Sequence, residues 1–233
     1  MTPEKEAAIV VDYQNAFIPV NEWWTGEVEV KWGWDISWRV NEETRRIKNA
    51  SWLIITSVEE HKEWSVAFAS SYVWKEPLTV PLNQDREPGS ENFITLDEVK
   101  EKWEVLLSPK AKFTIEELII FLETAWDNQA VWEDHCVKDT KSANFYEKFD
   151  TSLVDVEVVK WTKINEHPFS AFEWRTRDWK MTTLEVLKKE KIREISIFWL
   201  AIEFCDLETV MDAVKNWFKV NPKFRNETQL LEK

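Results

Sequence analysis

Three side chains that together could carry out covalent catalysis follow predicted buried strands. Asp12 comes at the end of the run AAIVVDY, Lys160 near the end of VDVEVVKW, and Cys205 shortly after REISIFWLA. A thiol, a carboxylate and an ammonium group can serve as nucleophile, acid–base group and positive charge. The free N–H groups at a helix start favour a thiolate and can hold an oxyanion, and a helical pattern follows Cys205. Taken alone, each residue also fits a structural role.

A second set could bind a metal ion. Glu59, His61 and His135 supply one carboxylate oxygen and two imidazoles. This set suits Zn²⁺, Fe²⁺ or Mn²⁺ and leaves coordination positions open. The Glu59-x-His61 pair is a weak signal by itself, because strand alternation places any i, i+2 pair on one face. The chain has only 3 histidines, and we assign no role to the third, His167.

Four short apolar runs that end in polar residues predict buried parallel strands. They cover residues 7–13, 52–58, 154–161 and 193–201. Helical patterns lie between or after these runs, over 35–50, 182–192 and 206–218. Strands that alternate with helices predict right-handed βαβ units, and therefore an α/β fold with three αβα layers around a mostly parallel sheet. Ligands of such sheets bind beyond the carboxyl ends of the strands, where the two candidate sets fall.

Other segments are less regular. Residues 71–130 are turn-rich at first and then contain a helical pattern over 114–126, so we interpret them as an insertion over the sheet within a single domain spanning 1–233. The last helical pattern places Leu207, Val210, Met211 and Val214 at i, i+3, i+4 and i+7. The segment after it starts like a strand, but Pro222 restricts that strand to a sheet edge or ends it early.

Composition excludes several classes of protein. The 233 residues are 44% hydrophobic and carry a formal charge of −13, which argues against nucleic-acid and anionic-membrane partners, because both require a cationic face. No apolar run approaches the roughly 20 residues that span a bilayer. The chain begins without a signal-peptide pattern. Two cysteines make no disulfide framework. We therefore expect a cytoplasmic protein, and a homo-oligomer stays open.

Five motifs, in order, resemble those of nicotinamidases of the isochorismatase-like cysteine hydrolase superfamily. They are IVVDYQNAF (9–17), IITSVEEHKEWSVAFAS (54–70), VWEDHCVKDT (131–140), VVKWTKINEHPFSAFEW (158–174) and FWLAIEFC (198–205). The resemblance covers about 7–70 and 130–220 and leaves the insertion poorly matched. Five motifs in the right order are far more specific than any one of them.

The resemblance implies that the protein hydrolyses nicotinamide to nicotinate and ammonia, as in NAD salvage. Cys205 would attack the carboxamide carbon and form a thioester, while Asp12 takes the thiol proton and passes it to the departing ammonia. Lys160 would orient Asp12 and stabilise charge. The backbone N–H groups of Ala201 and Cys205 would form the oxyanion hole.

The resemblance also implies a divalent metal, with zinc first and iron or manganese as alternatives. Glu59, His61 and His135 would bind it, and the metal would hold the pyridine nitrogen of the substrate. Phe17 and Trp132 would enclose the pyridine ring. The metal would therefore position the substrate rather than generate hydroxide.

Three features depart from the family pattern. Glu59 replaces an aspartate, which moves the carboxylate outwards by one methylene. Asp206 follows the cysteine where an apolar residue is usual, and a carboxylate there opposes thiol activation. The proline of the family's W-P-x-H-C-V segment is absent from VWEDHC. Two further hypotheses therefore stay open: another amidase of the superfamily that acts on a small carboxamide without metal, and an inactive or binding member.

The tryptophans are abnormally frequent. The chain has 3 glycines and 16 tryptophans, although glycine normally makes up about 7% of residues. On the family pattern, Trp161, Trp174, Trp199 and Trp217 occupy glycine positions, whereas only Trp132 stands where the family has tryptophan. A loop that is usually glycine-rich holds four more: Trp23, Trp24, Trp32 and Trp34.

We hypothesise that most tryptophans are glycines of the biological protein. Some genetic codes read UGA as glycine and others as tryptophan, so the choice of code would exchange the two residues. The alternative is a naturally tryptophan-rich member of the family. Codons other than UGA at positions 161, 174 and 199 would contradict the hypothesis.

Overall fold

A computed structural model describes most of the chain. The described residues are 5–18, 27–28, 30, 37–50, 52–78, 89–124, 128–160, 170–198, 205 and 207–223. Within these ranges the strands are β1 Glu6–Val10, β2 Leu53–Val58, β3 Phe93–Thr95, β4 Asn128–Ala130, β5 Val156–Val159, β6 Arg175–Thr176, β7 Glu194–Phe198 and β8 Lys219–Lys223. The helices are α1 Ser37–Asn49, α2 Leu96–Leu106, α3 Ile115–Thr124, α4 Thr183–Lys189 and α5 Leu207–Lys215.

Six strands form the central sheet in the order β6-β5-β2-β1-β7-β8. Five of them run parallel, and only β6 pairs antiparallel, with the edge of β5. All five residues of β1 are buried, as expected for a strand covered on both faces. The mostly parallel sheet predicted from the sequence is confirmed.

Alternate residues of β1 pack into opposite layers. Ala7 and Ile9 belong to a core that also contains Leu187 of α4 and Ala213 of α5. Ala8 and Val10 face the other core, which α1 covers with Val40 and Ile47. Helices therefore pack on both faces of the sheet, and the predicted three-layer architecture is correct.

The insertion has a core of its own. Strands β3 and β4 form a separate antiparallel pair, and α2 and α3 pack beside it around buried residues such as Ile94, Val99 and Leu118. The predicted helix over 114–126 corresponds to α3. The sequence patterns did not predict α2, whose N-cap is Thr95, nor the β3–β4 pair.

The last two elements follow the prediction with one unexpected feature. Helix α5 forms, but Leu207, Met211 and Val214 are largely exposed, and its fully buried residues are Thr209 and Ala213. Strand β8, which contains Pro222, lies at the edge of the sheet beside β7, where a missing N–H is tolerated. No helix in the described part of the chain is long and apolar enough to cross a membrane.

Three tryptophans adopt backbone conformations that favour glycine. Among the described residues, Trp74, Trp179 and Trp217 have φ values of 69°, 61° and 64°. A side chain in the left-handed region is strained, whereas glycine is not. Their relative exposures are 85%, 42% and 92%, so burial compensates little for the strain. These backbone angles support the hypothesis that glycine belongs at these positions.

The hydrogen bonds around Trp217 show why its position favours glycine. The N–H of Phe218 donates to Ala213 O at 3.1 Å, and the N–H of Trp217 donates to Val214 O at 3.0 Å. These two bonds end α5 in a Schellman motif, whose left-handed residue is usually glycine. The C-terminal end of α5 therefore has a glycine geometry occupied by the largest side chain.

We predict that Trp217→Gly raises the free energy of unfolding by about 1 kcal/mol, because it removes left-handed strain without exposing a core. Trp38→Gly is the matched control. Trp38 lies in α1 and is 60% exposed, so the same change should lower the free energy, by up to about 1 kcal/mol. Urea unfolding measures both. Equal destabilisation by the two changes would contradict the prediction.

Candidate active site

The parallel strands bring the candidate residues to one edge of the sheet. Asp12 lies two residues beyond β1, Glu59 directly follows β2, and Lys160 directly follows β5. These three strands are neighbours in the sheet, so their carboxyl ends meet. Cys205 lies two residues before α5. The expectation that these groups fall beyond the strand ends is confirmed.

Lys160 joins the two candidate sets. Its Nζ atom lies 2.9 Å from Oε1 of Glu59 and 3.8 Å from Sγ of Cys205. Burial alone would lower the pKa of Lys160, but the negative charges of Cys205, Glu59 and Asp12 raise it above its usual value. Lys160 therefore carries a positive charge at the centre of an otherwise anionic cluster.

Asp12 is a buried carboxylate held by a left-handed turn. Its φ is 47°, a conformation that aspartate adopts more readily than most residues. The hydroxyl of Ser57 accepts a hydrogen bond from the Asp12 N–H and donates one to Oδ1, both at 3.1 Å. Ser57 thus fixes both the backbone and the side chain of Asp12.

The surroundings of Asp12 shift its protonation. Burial and the charge of Glu59 raise the pKa of Asp12 to about 7, against the opposing effects of Lys160 and of hydrogen bonds to Ser57 and Cys205. Because Cys205 influences the pKa of Asp12, the thiol and the carboxylate share one site. A carboxyl group with a pKa near neutrality can both accept and return a proton.

The candidate metal ligands also converge. Ligand atoms of Glu59, His61 and His135 all lie within 4.8 Å of one another, and the three residues are buried. The Nε2 atom of His61 is 2.5 Å from Oε1 of Glu59, yet neither ring nitrogen of His61 has a partner in hydrogen-bond geometry. Buried polar atoms without a partner are costly unless a ligand satisfies them.

The protonation states suit a metal. Nδ1 of His135 lies 2.7 Å from the carbonyl oxygen of Glu133, which fixes the proton on Nδ1 and leaves Nε2 as a ligand atom. Burial lowers the pKa of His135 to about 4. Burial would raise the pKa of Glu59, but above all the charge of Lys160 holds it well below its usual value. One carboxylate and two imidazoles therefore fit a divalent metal.

Aromatic rings surround these imidazoles. The ring centroids of Phe17 and His135 are 5.7 Å apart. The ring of Phe68 lies 5.0 Å from His61 and 5.5 Å from His135. Trp132 is joined to this segment through the backbone, because its N–H donates to Ala67 O at 2.8 Å. Phe17 therefore lies beside the metal set, and the backbone of Trp132 is joined to the chain next to Phe68.

Some predicted features lie outside the described residues. They are Ala201, Asp206, His167 and six of the tryptophans, namely Trp23, Trp24, Trp32, Trp34, Trp161 and Trp199. Trp174 is described, and its indole is fully buried in the core, with Lys160 Nζ 5.6 Å from the ring centroid. Glycine was expected at position 174, but here the protein packs an indole against the ammonium group. Position 174 therefore differs from the three exposed left-handed tryptophans, because burial stabilises the side chain.

Two residues of the site were not singled out from the sequence, namely Ser57 and Phe68. Ser57 is a fully buried hydroxyl within the apolar strand β2, and a polar residue in such a strand was a usable signal. Phe68 is equally buried but looks like any core phenylalanine. Its contact with both imidazoles depends on the turn after β2, which no local pattern predicts.

Sequence comparison supports the resemblance. No protein-family model matches the chain. It is 28% identical over 93 residues to the nicotinamidase of Escherichia coli strain K12, and the match covers 40% of this chain and 44% of that protein. The chain thus matches less than half the length of this curated relative.

Solved structures share the fold over nearly the whole chain. The pyrazinamidase of Pyrococcus horikoshii in complex with zinc superposes with a TM-score of 0.56 at 23% identity, over 94% of this chain and 83% of that chain. The yeast nicotinamidase bound to the inhibitor nicotinaldehyde gives 0.59 at 20%, over 97% and 92%. The chain therefore has the fold of these two solved structures, a pyrazinamidase and a nicotinamidase. In sequence, part of the chain resembles the nicotinamidase of Escherichia coli.

We predict that the purified protein binds about one divalent metal ion per chain, and that His61→Ala weakens zinc binding at least about 10-fold, because it removes a ligand. His167→Ala is the matched control, since it removes the only imidazole that lies outside the candidate set. Elemental analysis and equilibrium dialysis with Zn²⁺ measure both. Equal affinities for the two variants would contradict the assignment.

Proposed function

We propose that the protein is a metal-dependent nicotinamidase that hydrolyses nicotinamide to nicotinate and ammonia for pyridine nucleotide biosynthesis. One observation carries the proposal: Lys160 contacts both Glu59 of the metal set and the thiol of Cys205. A substrate whose ring binds at the metal set would therefore present its carboxamide to the cysteine. The resemblance to nicotinamidases in sequence and fold supports the same substrate.

In the first step, Asp12 accepts the proton of Cys205, and the thiolate sulfur attacks the carboxamide carbon. The pKa of Asp12 near 7, and the influence of Cys205 on it, support this transfer. Lys160 stabilises the thiolate from 3.8 Å. A nucleophile, its base and a neighbouring positive charge are the arrangement that covalent catalysis requires.

The attack produces a tetrahedral oxyanion. On the resemblance to nicotinamidases, we propose the backbone N–H groups of Ala201 and Cys205 as its donors. Collapse breaks the C–N bond, and Asp12 returns its proton to the departing ammonia. Water then attacks the thioester and gives a proton to Asp12. Cleavage of the C–S bond releases nicotinate, and Asp12 returns the proton to the sulfur, which restores the thiol.

The ring end of the substrate would lie at the metal set. Glu59, His61 and His135 would hold a divalent metal, which would supply a Lewis acid for the pyridine nitrogen. We propose zinc, with iron or manganese as alternatives. Phe17 and Trp132 would enclose the ring and restrict its orientation. The three ligands and the two aromatic residues thus position the carboxamide for attack.

Two alternatives make different predictions. An amidase that acts on another small carboxamide without metal would contain no stoichiometric metal. An inactive or binding member would release no ammonia. The converging imidazoles and carboxylate favour a metal enzyme over the first alternative. The contact of Lys160 with the thiol of Cys205 favours an active enzyme over the second. We further propose a cytoplasmic location, since neither Cys136 nor Cys205 forms a disulfide.

We predict that Cys205→Ala lowers ammonia release from nicotinamide at least about 1,000-fold, because it removes the proposed nucleophile that forms the thioester. Cys136→Ala makes the same change at the other cysteine, which is buried, and should retain activity. A glutamate dehydrogenase-coupled assay measures ammonia. Undiminished ammonia release by Cys205→Ala would refute the assignment of Cys205 as the nucleophile.

The assay also requires a protein with glycine at positions 161, 174, 199 and 217. That protein tests whether the tryptophans lower the activity, because it restores the family's glycines and leaves the proposed nucleophile and base unchanged. Ammonia release by this protein, and not by the unchanged protein, would show that the tryptophans lower the activity. No release by either protein would favour the inactive member.

We predict that kcat/KM for nicotinamide falls as the pH drops through about 7, the pKa of Asp12. The sign follows from the chemistry, because the ionised carboxylate accepts the thiol proton and the protonated form cannot. Ser57→Ala removes a hydrogen bond that lowers this pKa and should move the acid limb to higher pH. Ser196→Ala, another fully buried serine, should leave it in place. Identical profiles for both variants would contradict the assignment of Asp12 as base.

A further inference from the structure

The buried amide of Gln14 makes three hydrogen bonds to backbone groups. Its Nε2 donates to Glu59 O at 2.9 Å and to Ala143 O at 2.7 Å. Its Oε1 accepts from the Glu59 N–H at 2.8 Å. The Gln14 side chain is fully buried, so these bonds are protected from water. One side chain thus binds both backbone polar groups of a candidate metal ligand.

The pairing of β1 with β2 explains this arrangement. The ladder ends at Val10 and Thr56, and the left-handed turn at Asp12 then moves the β1 chain away from β2. Glu59 is thereby left without a backbone partner from β1. The Gln14 amide offers one donor and one acceptor in the positions that a further strand residue would supply. It therefore extends the ladder by one residue, at the place where the ligand carboxylate emerges.

The third hydrogen bond links the amide to the segment that carries the other ligand. Ala143, which accepts it, follows Ser142, and the Ser142 hydroxyl accepts from the Cys136 N–H at 2.8 Å. Cys136 is the next residue after His135. Gln14, which lies two residues after the proposed base Asp12, therefore connects the chain at Glu59 with the chain around His135.

We propose that Gln14 is a positioning residue that sets the spacing of Glu59 relative to His135, and so determines metal affinity. This inference rests on the metal set of the proposed function. Glu59 is one methylene longer than the aspartate of the family pattern, so its carboxylate has one more rotatable bond. Hydrogen bonds to both backbone groups of Glu59 fix the base of that longer side chain. Groups that orient metal ligands typically contribute about 10- to 100-fold to affinity.

The test is the zinc affinity of the full chain carrying Gln14→Met. Methionine matches glutamine in length and shape but makes none of the three hydrogen bonds. Equilibrium dialysis with Zn²⁺ should show binding weakened by about 10- to 100-fold. Gln129→Met is the matched control, because Gln129 is also buried but lies in β4 of the insertion. Its zinc affinity should equal that of the unchanged protein.

A second variant guards against a folding defect. Gln14→Glu keeps the acceptor for the Glu59 N–H but loses both donated hydrogen bonds, and it should weaken zinc binding in the same direction. Circular dichroism establishes that each variant is folded. Loss of the fold in both variants would overturn the proposal, because it would assign Gln14 a role in folding rather than positioning.

The outcomes separate this inference from the proposed function. Failure of the unchanged protein to bind zinc, iron or manganese would refute the metal set itself. Zinc binding with the same affinity in the unchanged protein, Gln14→Met and Gln129→Met would refute only the role of Gln14. Weaker binding confined to the two Gln14 variants would support it.

Discussion

A buried ammonium group is the interaction on which the rest of the site depends. Lys160 lies 2.9 Å from Glu59 and 3.8 Å from Cys205, in a place where two carboxylates and a thiolate would otherwise repel one another. Removing one member of such a buried charge pair typically costs about 3–5 kcal/mol, because the other charge is left uncompensated. The cluster is therefore stable only when all of its charges are present. Its position at the strand ends links a candidate metal site to a candidate nucleophile.

The fold supplies this arrangement through strand order. β5, β2 and β1 are adjacent and parallel, so the residues that follow them come together without any long loop. At the left-handed turn of Asp12, the hydroxyl of Ser57 donates a hydrogen bond to the carboxylate. The turn also leaves the backbone of Glu59 to be paired by a side chain. The same local departure from regular strand geometry thus positions the base and creates the need for Gln14.

Much of this could be predicted from particular residues. The apolar runs located β1, β2, β5 and β7, and motif order placed Asp12, Glu59, His61, His135, Lys160 and Cys205 at one site. The α2 helix and the β3–β4 pair were not predicted, because short strands and polar turns leave weak periodic signals. Ser57, Phe68 and Gln14 were missed because their roles depend on contacts across 45 or more residues or on the turn after β2. The left-handed angles of Trp74 and Trp179 also needed coordinates.

The most direct test of the central claim is the reactivity of Cys205 towards iodoacetamide near neutral pH. The rate is followed by mass spectrometry in the unchanged protein, in Lys160→Met and in Lys75→Met. Lys75 is a matched control, since its side chain is also buried and pairs with Glu98 in the insertion. A charge about 4 Å from a thiolate contributes roughly 4 kcal/mol at an effective dielectric constant of about 20. We therefore predict that Lys160→Met slows alkylation of Cys205 at least about 10-fold, whereas Lys75→Met does not. Equal rates in all three proteins would contradict the claim that Lys160 and Cys205 form one chemical unit.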